Sequence, residues 1–331
     1  MASPEIERAV ELLRAGELVA FPTETVYGLG ADASNPLAVA KIFTAKGRPA
    51  DHPLIVHLPG KGALGRWARE IPEAAFALAE AFWPGPLTLI LKRQPGVPDI
   101  ITGGQDTVGL RVPNHPLALE LLQAFGGEDG GGLAAPSANR FGHVSPTLAR
   151  HVRDELGDAV AMVLDGGACR VGIESTIVDL TGARAVMLRP GMLGADDIGR
   201  VLGYVPAIGQ RGEGPRVSGS LDAHYAPSTP LALLQPDVII LAVRESLAAD
   251  ERIGVIAPMA CPLSDERVVW REIGGDAAAF AHDIYAMLRE LDSLGCARIV
   301  VQKPPAGEAW RALHDRLGRA VAGAGRAAAR G

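Results

Sequence analysis

Cysteine is scarce in this sequence of 331 residues. Its three cysteines, Cys169, Cys261 and Cys296, lie far apart in the chain and form no CxxC pair. A scaffold held together by disulfides and a cysteine-based zinc site are therefore excluded. The same scarcity is typical of a reducing compartment, so we expect a cytoplasmic protein.

Long apolar runs and an excess of positive charge are also absent. No run reaches the ~18 residues that a membrane span needs, so we expect no association with a membrane. The formal net charge of −6 argues against a broadly basic protein that binds nucleic acid over its whole surface. Weak RNA binding through a local patch remains open.

The common nucleotide and hydrolase motifs are missing as well. The sequence contains no GxxxxGK[ST] loop, no GxSxG elbow and no HExxH pair. The segment GLGADA at 28–33 matches a degenerate dinucleotide fingerprint, but such glycines directly follow a strand and open a helix. Here the residues 22–27 intervene and the next helix begins only after Asn35, so we disfavour dinucleotide binding.

The sequence does contain an irregular alternation of helical and apolar strand patterns, which predicts an α/β fold with a mixed sheet. The predicted helices span 4–15, 35–45, 72–81, 115–125 and 146–156. The predicted strands span 18–21, 53–58, 87–91, 108–112, 160–164, 175–180 and 185–188. Between the first strand and the second helix, the polar segment FPTETVYGLG is predicted to be a loop.

A change in composition marks residues 206–230, which are rich in proline and glycine and almost free of large apolar side chains. This composition is typical of a linker. Beyond it, a further set of strand and helix patterns predicts a smaller α/β domain. We therefore expect a first domain at 1–205, a linker at 206–230 and a second domain at 231–331.

Four positive charges of the first domain, Lys46, Arg48, Arg111 and Arg189, occur at strand or helix ends. Lysine supplies only five of the 32 basic residues, and Lys46 is one of them, separated from Arg48 by a glycine. Arg111 lies inside an apolar strand, where a guanidinium needs a partner or a bound anion. With Arg189 and the neighbouring serines and threonines, these cations predict a site that binds and orients anions, as phosphoryl or nucleotidyl transfer requires.

Two residues near this set have an ordinary structural interpretation. A lone histidine on an apolar strand, such as His57, is more often a core residue than a ligand. Ser145 precedes Pro146 at the start of a predicted helix, so it also fits a plain N-cap.

Several motifs occur in order between residues 5 and 205. They are FPTETVYGLGADA, the K-x-R of Lys46 and Arg48, PLIVH, WPGPLT, VGLRVP, the S-x-N of Ser137 and Asn139, ESTIVD and LRPG. In this combination the chain resembles the YrdC-type threonylcarbamoyl-AMP synthases. The linker motif Ser220-x-x-x-His224-Tyr225-x-Pro227 is similar to that of the long, two-domain form of the family.

The resemblance implies an open, twisted mixed sheet with a concave substrate-binding face and a smaller, Rossmann-like C-terminal domain. It implies a reaction of L-threonine, bicarbonate or CO2, and ATP that yields threonylcarbamoyl-AMP and pyrophosphate. Other proteins would then transfer the threonylcarbamoyl group to an adenosine beside certain tRNA anticodons. Magnesium is expected to accompany ATP, and its protein ligands are left unassigned.

The resemblance also implies roles for individual residues. L-Threonine would be held by Thr25, His57, Arg111, Ala135 and Ser175, with Arg111 on its carboxylate. ATP would be held by Lys46, Arg48, His52, Thr107, Ser137, Asn139, Ser145, Arg189 and Tyr225, with Lys46 and Arg48 as the catalytic cations and Tyr225 closing over the nucleotide. His52 departs from the family pattern, in which an asparagine is usual, and an imidazole offers different hydrogen-bond geometry from an amide.

Two other functions are weighed against this one. A carbamoyl-transfer enzyme of the hydrogenase-maturation type contains a similar module, but such chains also carry an acylphosphatase-like domain and CxxC zinc fingers, which this sequence lacks. An RNA-binding module of the same fold without adenylating activity is the second alternative.

Overall fold

The computed structural model describes residues 3–210, 214–219 and 221–325, and the chain divides into two compact units. The first comprises Met1–Phe141 and Pro146–Ser220, and the second comprises Gly142–Ser145 and Leu221–Gly331. This division falls inside the predicted linker. Ser220, the first residue of the linker motif, lies outside the described residues.

The described strands of the first unit form a single mixed sheet in the order β10-β9-β8-β4-β5-β3-β6-β2-β1-β7. The strands are β1 Val19–Phe21, β2 Gly28–Asp32, β3 Ile55–His57, β4 Leu87–Lys92, β5 Thr107–Arg111, β6 Leu133–Ala134, β7 Met162–Val163, β8 Thr176–Asp179, β9 Val186–Arg189 and β10 Ala207–Ile208. Parallel pairs, such as β3 with β5, alternate with antiparallel pairs, such as β4 with β5. The predicted mixed α/β fold is confirmed.

The helices of the first unit pack on this sheet. They are α1 Pro4–Arg14, α2 Pro36–Lys46, α3 Leu64–Trp67, α4 Glu73–Phe82, α5 Asp99–Thr102, α6 Pro116–Gly126, α7 Ala149–Leu156 and α8 Ala195–Leu202. Helix α2 begins as its sequence predicts, because the Asn35 side chain accepts the backbone N–H groups of Leu37 and Ala38. It ends at Gly47, which adopts φ 60° and leaves Lys46 in the last turn.

Two local predictions are wrong. Residues 28–30, predicted to be the end of a loop, belong to strand β2, which is antiparallel to β1. Glycine permits this pairing, since a Cβ on Gly30 would lie 2.8 Å from Phe21 Cε1 and 2.9 Å from the Val19 carbonyl oxygen. Ser145 is not an N-cap, because α7 begins at Ala149 with Leu148 before it and no side-chain cap.

Other predicted elements are present with different bounds. The strand expected at 160–164 is reduced to β7, and that expected at 53–58 is reduced to β3. The short elements α3, α5, α8 and β10 were not predicted, because segments of two to eight residues carry little periodic signal.

The second unit contains a four-stranded parallel sheet in the order β11-β14-β12-β13. Its elements are β11 Leu231–Leu234, α9 Pro236–Ala248, β12 Ile253–Ala257, β13 Val268–Glu272, α10 Ala277–Ser293, β14 Arg298–Gln302 and α11 Arg311–Gly323. This arrangement confirms the predicted smaller α/β domain fold. In the described part of the chain, no helix has the length and apolar character that crossing a membrane requires.

Candidate functional site

Arg111 is the last residue of β5, and its guanidinium is buried in the first unit. Its Nη2 lies 2.8 Å from Glu24 Oε1 and donates to Thr25 Oγ1 at 2.9 Å. Its Nε donates to the Gly85 carbonyl at 3.4 Å. The predicted need for a partner is thus met by a carboxylate that lies next to Thr25 in the chain.

The donor and acceptor roles of the two hydroxyls beside this ion pair can be assigned. Thr23 Oγ1 donates its one proton to the Val26 carbonyl at 2.6 Å. The contact between the Thr25 and Thr23 hydroxyls, at 2.9 Å, must therefore be donated by Thr25. Because the Thr25 hydroxyl donates its proton to Thr23, it acts as the acceptor of the hydrogen bond from Arg111. Its remaining lone pair suits a ligand group that donates a hydrogen bond, such as an ammonium or a hydroxyl.

His57 lies opposite Arg111 in the parallel register of β3 and β5. Burial, reinforced by the charge of Arg111, lowers the pKa of His57 from 6.5 to about 3. Its ring packs edge-on against Phe21 at a centroid distance of 6.0 Å. His57 is therefore a neutral imidazole at physiological pH, able to donate from one ring nitrogen and accept at the other.

Arg189 and Ser175 form a second buried group. Arg189 ends β9 and donates from Nε and Nη2 to the Ser175 carbonyl at 3.1 and 2.9 Å. Its Nη2 also reaches Ser175 Oγ at 3.1 Å, and that hydroxyl lies 2.8 Å from Thr88 Oγ1. The guanidinium is held against the start of β8, next to the residue predicted to contact threonine.

Lys46 extends from the end of α2 to the loop that contains the S-x-N motif. Its ammonium donates to the carbonyl oxygens of Ser137 and Asn139 at 2.6 and 2.5 Å. The side chain is buried, and the same loop meets β2 through a bridge between Ser137 and Gly28. The K-x-R and S-x-N motifs, 91 residues apart, are thus brought together.

Arg48 follows the helix and lies beside two aromatic rings of neighbouring segments. Its guanidinium carbon is 5.9 Å from the centroid of the Phe141 ring, which in turn packs edge-on against His52. Its Nη2 donates to the Pro53 carbonyl at 3.0 Å. Burial, followed by the charge of Arg48, lowers the pKa of His52, so His52 favours its neutral form.

Residues 214–219 of the predicted linker lie against the sheet of the first unit. Ser218 Oγ accepts a hydrogen bond from Arg48 Nη2 at 3.2 Å, and the Ser218 carbonyl accepts one from Arg189 Nη1 at 2.8 Å. Val217 is buried against Ile90 and Ile177. The segment therefore joins two cations that the sequence places 141 residues apart.

A glutamine side chain fixes the same segment. Gln105 accepts the Arg216 backbone N–H at 2.7 Å and donates to the Arg216 carbonyl at 3.1 Å, as a neighbouring strand would. Arg216 itself donates to the Gly103 carbonyl at 2.8 Å. We call this contact between Gln105 and Arg216 the glutamine clip.

The other predicted site residues occupy the following places. Thr107 begins β5 and lines the cleft beneath Val217, while the Ala135 backbone N–H donates to the Ile55 carbonyl at 3.0 Å. Ser145 and Tyr225 belong to the second unit. There Tyr225 is buried, with φ 60°, against the rings of His224 and Tyr285 and the guanidinium of Arg316.

Sequence reasoning missed Ser218 and Gln105 and gave Glu24 no definite role. Glu24 had a signal, since an arginine within an apolar strand requires an acidic partner. Ser218 and Gln105 had none, because their contacts depend on where a proline- and glycine-rich segment lies in the fold.

The chain matches known families over most of its length. The family model of the Sua5, YciO and YrdC proteins, described as telomere recombination, matches residues 11–191. The model described as the C-terminal domain of threonylcarbamoyl-AMP synthase matches residues 193–322.

Individual relatives match over nearly the full chain. The threonylcarbamoyl-AMP synthase of Bacillus subtilis is 39% identical, over 97% of this chain and 94% of its own length. That of Pyrococcus abyssi is 40% identical, over 90% of this chain and 88% of its own. The crystal structure of Pyrococcus abyssi Sua5 complexed with L-threonine has a TM-score of 0.86 at 39% identity and covers 96% of this chain and 94% of that one. The chain therefore belongs to the Sua5/YrdC family of threonylcarbamoyl-AMP synthases.

Proposed function

We propose that this protein converts L-threonine, bicarbonate or CO2, and ATP into threonylcarbamoyl-AMP and pyrophosphate. The observation that carries the proposal is the match, along almost all of both chains, to the enzyme of that name from Bacillus subtilis. The buried cations of the first unit support it, because the reaction brings a carboxylate and a triphosphate into one site.

We assign L-threonine to the group formed by Thr25, His57, Arg111, Ala135 and Ser175. The guanidinium of Arg111 suits the substrate carboxylate, since its planar fork matches two oxygens. The acceptor lone pair of Thr25 and the neutral ring of His57 suit the amine and the hydroxyl. The relative from Pyrococcus abyssi, of the same fold, was solved with L-threonine, which supports an amino-acid site here.

We assign ATP to Lys46, Arg48, His52, Thr107, Ser137, Asn139, Ser145, Arg189 and Tyr225. Lys46, Arg48 and Arg189 supply the positive charge that phosphate oxygens require. The hydroxyl and the carbonyl oxygen of Ser218 already accept hydrogen bonds from Arg48 and Arg189. When ATP binds, phosphate oxygens would take the place of these two acceptors.

Magnesium is proposed to enter with the nucleotide. The described residues contain no group of three histidine, cysteine, aspartate or glutamate side chains that could hold a metal ion. Magnesium bound to ATP takes most of its ligands from phosphates and water and needs few from protein, so the described side chains are compatible with it. When bound, it would neutralise phosphate charge.

The proposed reaction has two steps. The threonine amine adds CO2 to give a carbamate and releases a proton. A carbamate oxygen then attacks the α-phosphorus of ATP, the bond to the β-phosphate oxygen breaks, and pyrophosphate leaves with that electron pair. The protein orients the two substrates, and Lys46 and Arg48 stabilise the charge on the departing pyrophosphate.

The product would be passed to the proteins that transfer the threonylcarbamoyl group to tRNA, and the expected cytoplasmic location goes with that role. Fractionation of cells that express the chain at its natural level tests the location.

A coupled pyrophosphate assay tests the activity itself. Pyrophosphate released from ATP only when both L-threonine and bicarbonate are present supports the synthase. RNA binding without such release would support the RNA-binding module instead.

A further inference from the structure

We propose that Glu24 is a positioning residue that orients Arg111 toward the carboxylate of the amino-acid substrate. It thereby sets the affinity for L-threonine without contacting ATP. This inference rests on the proposed function and adds to it a residue to which no role in the reaction is otherwise assigned. Its basis is the geometry of one buried ion pair and of the groups that fix it.

Arg111 needs a fixed acidic partner because it is buried. Its side chain and that of Glu24 are only 5% and 1% exposed, and Nη2 lies 2.8 Å from Oε1. A buried guanidinium without a counter-charge is strongly destabilising, whereas a buried pair with satisfied hydrogen bonds is tolerated. The pair is therefore a precondition for a cation at this position.

Glu24 is itself held in place by two other segments. Its Oε2 accepts the backbone N–H of Asn114 at 2.9 Å, three residues beyond the end of β5. Its backbone carbonyl accepts the N–H of Val171 at 2.7 Å. The carboxylate is thus fixed in relation to the strand that carries Arg111.

The contacts of Arg111 leave one edge of its guanidinium for a ligand. Nη2 is taken by Glu24 and Thr25, and Nε points to Gly85. Within residues 3–210, 214–219 and 221–325, no group accepts a hydrogen bond from Nη1. Glu24 therefore fixes the plane of the fork and directs the N–H groups of Nη1 away from the pair, where a substrate carboxylate is to be bound.

The arrangement of donors around Glu24 makes glutamine an informative replacement. One carboxylate oxygen, Oε2, accepts the Asn114 backbone N–H, and the other, Oε1, lies 2.8 Å from Arg111 Nη2. Glutamine has one acceptor oxygen and one NH2 group, so it must turn a donor toward one of these two donors. The backbone of Asn114 is the less mobile of the two, so the NH2 group faces Arg111 and displaces it.

The experiment compares binding of L-threonine and L-threoninamide, which lacks the carboxylate charge, to the wild type and to Glu24→Gln, by calorimetry on the full-length protein. The wild type should prefer L-threonine to the amide. The variant should lose about tenfold or more of that preference, which is the contribution of one charged hydrogen bond. In steady-state assays KM for L-threonine should rise while KM for ATP stays constant.

A matched control is Asp165→Asn, the same chemical change at an aspartate that pairs with Arg153 and accepts the Gly167 N–H. It should leave the preference for L-threonine unchanged. If Glu24→Gln does not fold, as judged by its melting temperature, Glu24→Asp replaces it. That variant keeps the charge but is one methylene shorter, and it should also lose the preference.

An unchanged preference for L-threonine over its amide in a folded Glu24 variant would overturn the inference, even if activity fell. Equal rises in KM for L-threonine and ATP would overturn it too, since they indicate general disruption. Failure of the wild type to bind L-threonine at all would instead contradict the proposed function.

Discussion

Three residues of the proposed substrate site lie at the ends of strands. Arg111 and Arg189 end β5 and β9, and His57 ends β3 beside Arg111. At these positions the backbone still belongs to the sheet while the side chain lies at its end, where loops begin. We expect this placement to hold the proposed site rigid, which is what positioning of two substrates requires.

Lys46 and Arg48 are expected to act in the chemical step. Replacing either with alanine removes a cation that stabilises the leaving pyrophosphate, and kcat should fall by about a hundredfold or more. Single-turnover formation of threonylcarbamoyl-AMP measures this directly. A variant at either position with near-full activity would remove that residue from the catalytic assignment.

His57 should also link stability to pH. The pKa of His57 is about 3 in the folded chain but 6.5 when exposed on unfolding, so only the unfolded state binds the proton as pH falls below 6.5. The stability associated with neutral His57 is thus complete above 6.5 and is lost toward pH 3, by up to about 1.4 kcal/mol per pH unit.

Urea unfolding of the wild type and His57→Asn at pH 7 and pH 5 checks this. The free energy of unfolding should fall more steeply for the wild type than for the variant. Parallel profiles would mean that His57 is protonated in the folded state.

The sequence predicted the cations of the site better than it predicted their partners. The requirement that Arg111 be paired followed from its apolar neighbours, and the structure supplies Glu24. The roles of Ser218 and Gln105 could not be predicted, because their hydrogen bonds to Arg48 and Arg216 span more than 100 residues and leave no local pattern.

At the scale of elements, α2 and β2 show why sequence patterns differ in value. Helix α2 was predicted to start at Asn35 because an N-cap and a following proline are local signals. The start of strand β2 was predicted to be part of a loop because the segment 21–30 is rich in polar residues and ends at two glycines. Gly30 is instead a condition for the strand, since it leaves room for the Phe21 ring of β1.

The glutamine clip is expected to hold residues 214–219 on the sheet. Gln105→Ala removes both bonds to the Arg216 backbone, so the segment should detach more often. At about 1 kcal/mol for each of the two hydrogen bonds, tryptic cleavage after Arg216 should accelerate by about thirtyfold. Mass spectrometry of early fragments measures the rate.

Gln94→Ala is the matched control for this variant, because the Gln94 side chain also donates to two backbone carbonyls of the first unit, those of Gly65 and Ala68 at helix α3. It should leave cleavage after Arg216 unchanged. Equal cleavage rates in Gln105→Ala and the wild type would show that the clip does not restrain the segment.

At the scale of the whole molecule, the second unit supplies the packing of Tyr225. The rings of His224 and Tyr285 and the guanidinium of Arg316 surround that side chain, at centroid distances of 4.1, 5.9 and 5.3 Å. The α/β fold of both units was predicted from the sequence, and so was the family. The limits 1–205, 206–230 and 231–331 stay predictions as functional boundaries.

Truncation after residue 230 keeps the linker but removes the packing partners of Tyr225 on α10 and α11. If Tyr225 closes over the nucleotide and keeps water from the adenylate, the truncated chain should release hydrolysed products in place of intact threonylcarbamoyl-AMP. Product analysis by chromatography distinguishes the two. Intact product at the full-length rate would contradict a lid role for the linker.

In the proposed reaction, this chain joins threonine, a one-carbon unit and AMP in one product. Its most direct test is mass spectrometry of a reaction that contains the full-length protein, ATP, L-threonine and bicarbonate labelled with carbon-13. We expect an adenylate that carries both the threonine and the labelled carbon, formed with an equal amount of pyrophosphate. An adenylate without the label, or no adenylate from a folded protein, would contradict it.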